Sequence, residues 1–233
     1  MSDVIIYLGP SLQRTEAEMI LPSGPQILYV PPIRRGDLIR AIAAGPKIIG
    51  IIDGLFFQNA AVGHREVLSA IRAGIRVVGA SSMGALRAAE LAPFGMEGIG
   101  EVYRRYKDGS IESDDEVAII CDPVTDGALS EALVNIRITL EKAQKEEIID
   151  TTEAVAFFTF AKERYYPDRT WEQIIRGIPF SPEKKETFRE WLKLNRVNQK
   201  EDDARSALRY IRDLISPNTV FSANVICTVS LRR

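Results

Sequence analysis

In the first half of the chain, short apolar runs alternate with helix-like spacings, and this alternation limits the fold more than any other feature. Val4-Ile5-Ile6-Tyr7-Leu8 closes at Gly9-Pro10, and Ile27-Leu28-Tyr29-Val30 stops at Pro31-Pro32. Lys47-Ile48-Ile49-Gly50-Ile51-Ile52 ends in Asp53-Gly54, and Ile75-Arg76-Val77-Val78-Gly79 runs into Ala80-Ser81-Ser82. Unbroken runs of this length, rich in β-branched residues, suit strands buried on both faces, because a half-buried strand would alternate polar and apolar positions. Between the runs, Leu38, Ile39, Ile42 and Ala43 share one helical face, as do Val67, Leu68 and Ile71. Strands alternating with helices predict an α/β fold, a Rossmann-like, doubly wound and mostly parallel sheet over residues 1–125. Val117-Ala118-Ile119-Ile120 is a candidate fifth strand.

Past residue 126 the periodicity becomes helical. Leu129, Leu133, Ile136 and Leu140 mark one long amphipathic helix, and further helices are predicted near 151–164, 170–177, 182–194 and 202–214. Ser181-Pro182-Glu183 has the residue types of a helix start. The chain thus divides into an α/β core, a helical region (126–216) packed on that core or on a partner, and a tail (217–233) of unassigned conformation.

Composition removes several classes of function. Lys and Arg number 30 against 32 Asp and Glu, a net charge of −2. No basic excess is available for nucleic acid or an anionic membrane surface. No apolar run reaches the roughly 18 residues of a membrane span, and Met1-Ser2-Asp3 lacks the basic start of a signal peptide. Cys121 and Cys227 are the only cysteines, too few for a disulfide scaffold and consistent with a cytoplasmic protein. The single histidine, His64, excludes two-imidazole chemistry and leaves a poor ligand set for zinc. Neither a phosphate loop nor a complete dinucleotide fingerprint is present. No cofactor and no metal are expected.

An open parallel sheet binds ligands beyond the carboxyl ends of its strands, so the loops there are the first candidates: Gly9-Pro10-Ser11, Pro31-Pro32, Asp53-Gly54 and Gly79 to Arg87. Ala80-x-Ser82-x-Gly84 has the small-x-Ser-x-small spacing of a nucleophile elbow, which presents a hydroxyl at a helix N-terminus. The plainer alternative is that Ser81 or Ser82 simply caps the helix. His64, with Glu66 two residues on, can serve as a general base or merely pack. Asp53 can orient that base, hold a polar substrate or form a turn. Arg87 and Arg137 can clamp an anion or form internal ion pairs. Asp114-Asp115-Glu116 is a solvated turn or a cation site, and Cys121 a core thiol or a reactive one.

Together these stretches resemble the TfuA-like family. The matching residues are Leu8-Gly9-Pro10-Ser11-Leu12, Ile52-Asp53-Gly54-Leu55-Phe56, His64-Arg65-Glu66-Val67-Leu68 and the block from Gly79 to Leu91. Phe94-Gly95-Met96, Asp114 to Ala118 and Leu133 to Arg137 continue the match in order, with a looser one at Lys200 to Ala204. The chain departs from the pattern at Gly63, where an aromatic residue is usual, and at Cys121, where a histidine is frequent. The resemblance implies a role in peptide thioamide formation, including natural-product biosynthesis from ribosomal peptides, beside a YcaO protein that activates a backbone amide with ATP. The TfuA-like partner would hydrolyse the C-terminal thiocarboxylate of a ThiS-like sulfur carrier and release sulfide.

On this expectation Ser82, or a water activated by His64, attacks the thiocarboxylate carbon. Amides at Ser82, Met83 and Gly84 steady the oxyanion, Asp53 and Glu66 orient the base, and Arg87 and Arg137 grip the carrier end. Ser81, Gly9, Ser11, Asp115 and Glu116 complete the expected substrate contacts. The alternative is a non-catalytic adaptor or activator of the YcaO protein. A serine hydrolase of small esters is a weaker third reading, and a homo-oligomer is compatible with all of them.

Overall fold

A computed structural model describes residues 2–56, 61–122 and 127–216; the tail from Pro217 lies outside the described residues. The four predicted runs form strands β1 (Val4–Tyr7), β2 (Ile27–Val30), β3 (Ile48–Ile51) and β4 (Arg76–Ala80), and β5 is Glu97–Ile99. All pairings are parallel, in the order β2-β1-β3-β4-β5, with Ile6 of β1 opposite Tyr29 on one side and Gly50 on the other. This is the expected α/β sheet.

The helices interleave as the alternation requires: α1 (Arg14–Ile20), α2 (Asp37–Ala44), α3 (His64–Arg72), α4 (Met83–Leu91) and α5 (Glu101–Lys107). Strand pleating divides the buried side chains into two layers. Ile5, Tyr7, Ile49, Ile51 and Val77 pack with Leu38, Val67, Ala88 and Leu91 from α2, α3 and α4. Val4, Ile6, Leu8, Ile48, Ile52 and Val78 point the other way.

That second layer is closed from far along the chain. After α6 (Leu133–Lys145), α7 (Thr151–Lys162), α8 (Trp171–Gly177) and α9 (Pro182–Asn195), helix α10 (Gln199–Ile215) returns to the sheet. Its Ala204, Leu208, Ile211 and Leu214 cover the face opposite α2–α4, beside α1. Helices α6 to α9 form their own core around Ile136, Phe157, Trp171 and Phe188. Asp203 ties the two halves together by accepting the first amides of α5, Glu101 at 3.0 Å and Val102 at 2.7 Å.

Two expectations are corrected. The fifth strand is Glu97–Ile99, whereas residues 117–120 form no strand. Val117 instead packs in a small cluster with Ala85, Val102 and Val134, so the apolar run serves to close the carboxyl edge of the sheet. The long helix begins at Leu133 instead of Leu129, because Ala132 is extended (φ −70°, ψ 138°) and Leu129 is exposed. Among the described residues no helix is long and apolar enough to cross a membrane.

Candidate functional site

The strand order reverses between β1 and β3, so the loops leaving them diverge and open a crevice at the carboxyl edge, the usual ligand position in such sheets. A cavity of about 270 Å³ occupies this place, lined by Pro10, Asp53, Phe56, Ser82, Tyr166 and Lys200 among others. Val117, Ile119, Ile120 and Cys121 contribute its roof. A neighbouring hollow of about 220 Å³ between the β1 and β2 loops offers Arg14 as its one charged wall residue. The larger crevice gathers the chemistry.

Asp53 leaves β3 at the floor of the crevice and is 2% exposed. It accepts the backbone amides of Gly9 (2.9 Å) and Ser11 (3.1 Å) and the Ser11 hydroxyl (2.6 Å). A carboxylate holding three donors fixes the β1 loop against β3. Gly9, Ser11 and Asp53 therefore come together, as a clamp.

The turn after β4 divides the features of a nucleophile elbow between two serines. Ser81 has φ of 67°, a left-handed conformation costly for a residue with a Cβ. It is fully buried, and its hydroxyl has no partner among the described residues. Ser82 is the N-cap residue of α4, yet its side chain makes no capping bond and faces the crevice. The hydroxyl is not used to hold the helix. Close packing explains the glycines of the motif: a Cβ on Gly84 would run into the Ile51 carbonyl, and one on Gly79 into the Gly84 carbonyl. Two of the first-turn amides are already committed, Gly84 to Ile52 (3.3 Å) and Ala85 to Ser82 (3.0 Å). The amide of Met83, first in the helix, remains for a ligand.

The other predicted residues are placed elsewhere. His64 begins α3 and its Nε2 meets Glu90 at 2.8 Å, half-exposed. Glu90 lies eight residues beyond Ser82, about 12 Å along the helix, and His64 does not line the crevice. Glu66 accepts the Gly36 amide at 2.7 Å, and neither it nor Asp53 contacts the imidazole. Arg87 binds Glu90 at 2.6 Å and the Val62 carbonyl at 3.1 Å. Arg137 pairs with the buried Glu116 at 2.6 Å and stacks over Phe158. Asp115 pairs with Arg169 at 2.7 Å. The Arg137–Glu116 and Arg169–Asp115 pairs hold the helical half to the core, whereas Arg87 braces α4 within it. Among the described residues no group of three His, Cys, Asp or Glu side chains is arranged to hold a metal.

The family profile of TfuA-like proteins matches residues 53–170, half of the chain. The chain belongs to the TfuA-like family. Membership associates it with YcaO-dependent thioamidation, with a YcaO protein as partner. No curated protein matches it. The TfuA-like match begins at Asp53 and takes in Ser82, the crevice roof and Tyr166.

Sequence reasoning missed Lys200 as a site residue. It is buried at the start of α10, and its Nζ donates to the Val117 carbonyl at 2.9 Å. Burial holds its amine below the ordinary lysine range, with Asp53, Cys121 and Glu131 opposing that shift. No single-residue signal separates it from the polar first turn Gln199-Lys200-Glu201-Asp202 around it.

Proposed function

We propose that this TfuA-like protein releases sulfide from the C-terminal thiocarboxylate of a ThiS-like carrier, for use by its YcaO partner in modifying a peptide or protein backbone. The observation carrying this reading is the Ser82 hydroxyl, uncommitted at the start of α4 and facing the switch-point crevice. Its oxygen, or a water held beside it, attacks the thiocarboxylate carbon. The C–O bond forms, the C–S bond breaks and hydrosulfide leaves. In the serine version, water then cleaves the acyl ester, restoring the hydroxyl and leaving a carboxylate on the carrier. Hydrosulfide is a far more stable leaving group than an amine, so no strong acid is required. The Met83 amide lies at the helix start, where an oxyanion is best stabilised. Because His64 stands at the far end of α4, the proton is taken by a crevice group and not by the imidazole.

Purified protein mixed with thiocarboxylated carrier, without YcaO or ATP, is expected to release sulfide. Ser82→Ala is expected to slow release by about a hundredfold or more, and His64→Ala to leave it within a few-fold of wild type. Carrier binding without sulfide release would assign the adaptor role instead. Ser82→Ala at the wild-type rate would leave the water as nucleophile.

A further inference from the structure

Among the described residues the crevice is lined by one cation, Lys200, and no carboxylate pairs with it. Lys200 forms no ion pair among the described residues; its Nζ donates to the neutral Val117 carbonyl. The acids around it are committed elsewhere. Asp53 is held by Gly9 and Ser11. Glu131 takes Asn135, Trp171 and Arg196, and Asp203 caps α5. Tyr166 and Cys121 are the other titratable lining residues among those described. A buried amine without a counter-ion costs stability that an apolar side chain of the same length would not.

We infer that Lys200 is the anion anchor of the crevice, pairing with the negative end group, carboxylate or thiocarboxylate, of a narrow peptide tail. The crevice is at the small end of ligand sites, so it admits a chain end and not a folded surface. Phe56 and Tyr166 also wall an adjoining groove of about 370 Å³, which gives the preceding residues of an extended tail a place to lie. The inference rests on the proposed hydrolysis for its chemical purpose: the negative charge on a thiocarboxylate's oxygen and sulfur dulls its carbon toward a nucleophile, and a cation against those atoms lessens that obstacle. Arrival of the anion favours the ammonium form that burial disfavours, so binding draws a proton from the buffer at pH values where the free amine is partly neutral.

The test uses the full chain and two synthetic peptides ending in Gly-Gly, one with a free carboxylate and one with a terminal amide. Titration calorimetry in buffers of different ionisation enthalpy measures affinity and proton uptake together. Wild type is expected to prefer the carboxylate by about tenfold or more, with proton uptake that grows as the buffer pH is raised toward the ordinary lysine range. Lys200→Met and Lys200→Gln are expected to lose both effects while binding the amide peptide as wild type does, which also shows that they are folded. Equal affinity of wild type for the two peptides, or a preference that survives in both variants, overturns the inference. Sulfide release separates the two proposals. Lys200-dependent carboxylate binding with no release from thiocarboxylated carrier leaves the anchor standing and defeats the hydrolase. Wild-type release by Lys200→Met does the reverse.

Discussion

Replacing Asp53 tests whether the floor of the crevice is built by a charge. The carboxylate accepts three bonds, at 2.9, 3.1 and 2.6 Å, from groups on the β1 loop. Bonds to a charged group are worth about 1.5–3 kcal/mol each and neutral ones about 0.5–1.5. Asn at this position keeps the count, because its oxygen can take the two amides while the Ser11 hydroxyl turns to accept from its NH₂ group. Asp53→Asn should therefore cost the difference in strength, about 1 kcal/mol per bond or 3 in all. Asp53→Ala strands the buried Ser11 amide and frees the loop, at about 4–6 kcal/mol, a large share of a typical domain's stability. Ser11→Ala should cost about 2 kcal/mol in wild type and almost nothing in the Asp53→Ala background, since its partner has already gone. Equilibrium urea unfolding at pH 7, with the slope held constant, measures all four. If Asn proves as costly as Ala, or if Ser11→Ala costs the same in both backgrounds, the clamp is not the source of the stability.

Other outcomes follow from the same geometry. Gly84→Ala drives a methyl into the Ile51 carbonyl and should destabilise by about 3 kcal/mol or more, read as a lowered melting temperature with the crevice disrupted. Lys200 has its amine lowered by burial, so the unfolded chain binds the proton more readily. The penalty is full below the folded value and fades as pH rises toward the ordinary lysine range near 10.4. The stability of wild type relative to Lys200→Met should therefore rise with pH across that window, as urea midpoints would show. Arg137→Met leaves Glu116 buried without its counter-ion and should cost about 3–5 kcal/mol, while carrier affinity measured by calorimetry stays unchanged. His64→Ala removes an exposed pair with Glu90 and should shift unfolding by about 1 kcal/mol or less.

Strands β1 to β4 were legible because doubly buried strands need continuous apolar residues, and few other elements tolerate Val4-Ile5-Ile6-Tyr7. Strand β5 was not. Glu97-Gly98-Ile99 offers one apolar residue, and its pairing with Val78 to Ala80 depends on the short turn after α4 placing it there. The run Val117 to Ile120 carried the stronger strand pattern and became part of a roof, since hydrophobicity reports burial but not the element that achieves it. The serine block, Asp53 and the β1 loop were visible from position alone, being at strand ends. The partners of His64, Arg87 and Arg137 were not, because Glu90 and Glu116 are chosen by the angle between elements. Lys200 was hidden for a related reason: its first turn reads as solvated, and only the docking of α10 on the sheet buries the amine.

That docking places a constraint on timing. The amine in the crevice and the side chains sealing the second face of the sheet belong to one helix, so neither can be in position without the other. During synthesis, β1 to β5 emerge first with Ile6, Ile48 and Val78 uncovered, and the crevice lacks its cation until residue 215 has left the ribosome. On the proposal made above, an anionic tail finds its anchor only once the fold is closed.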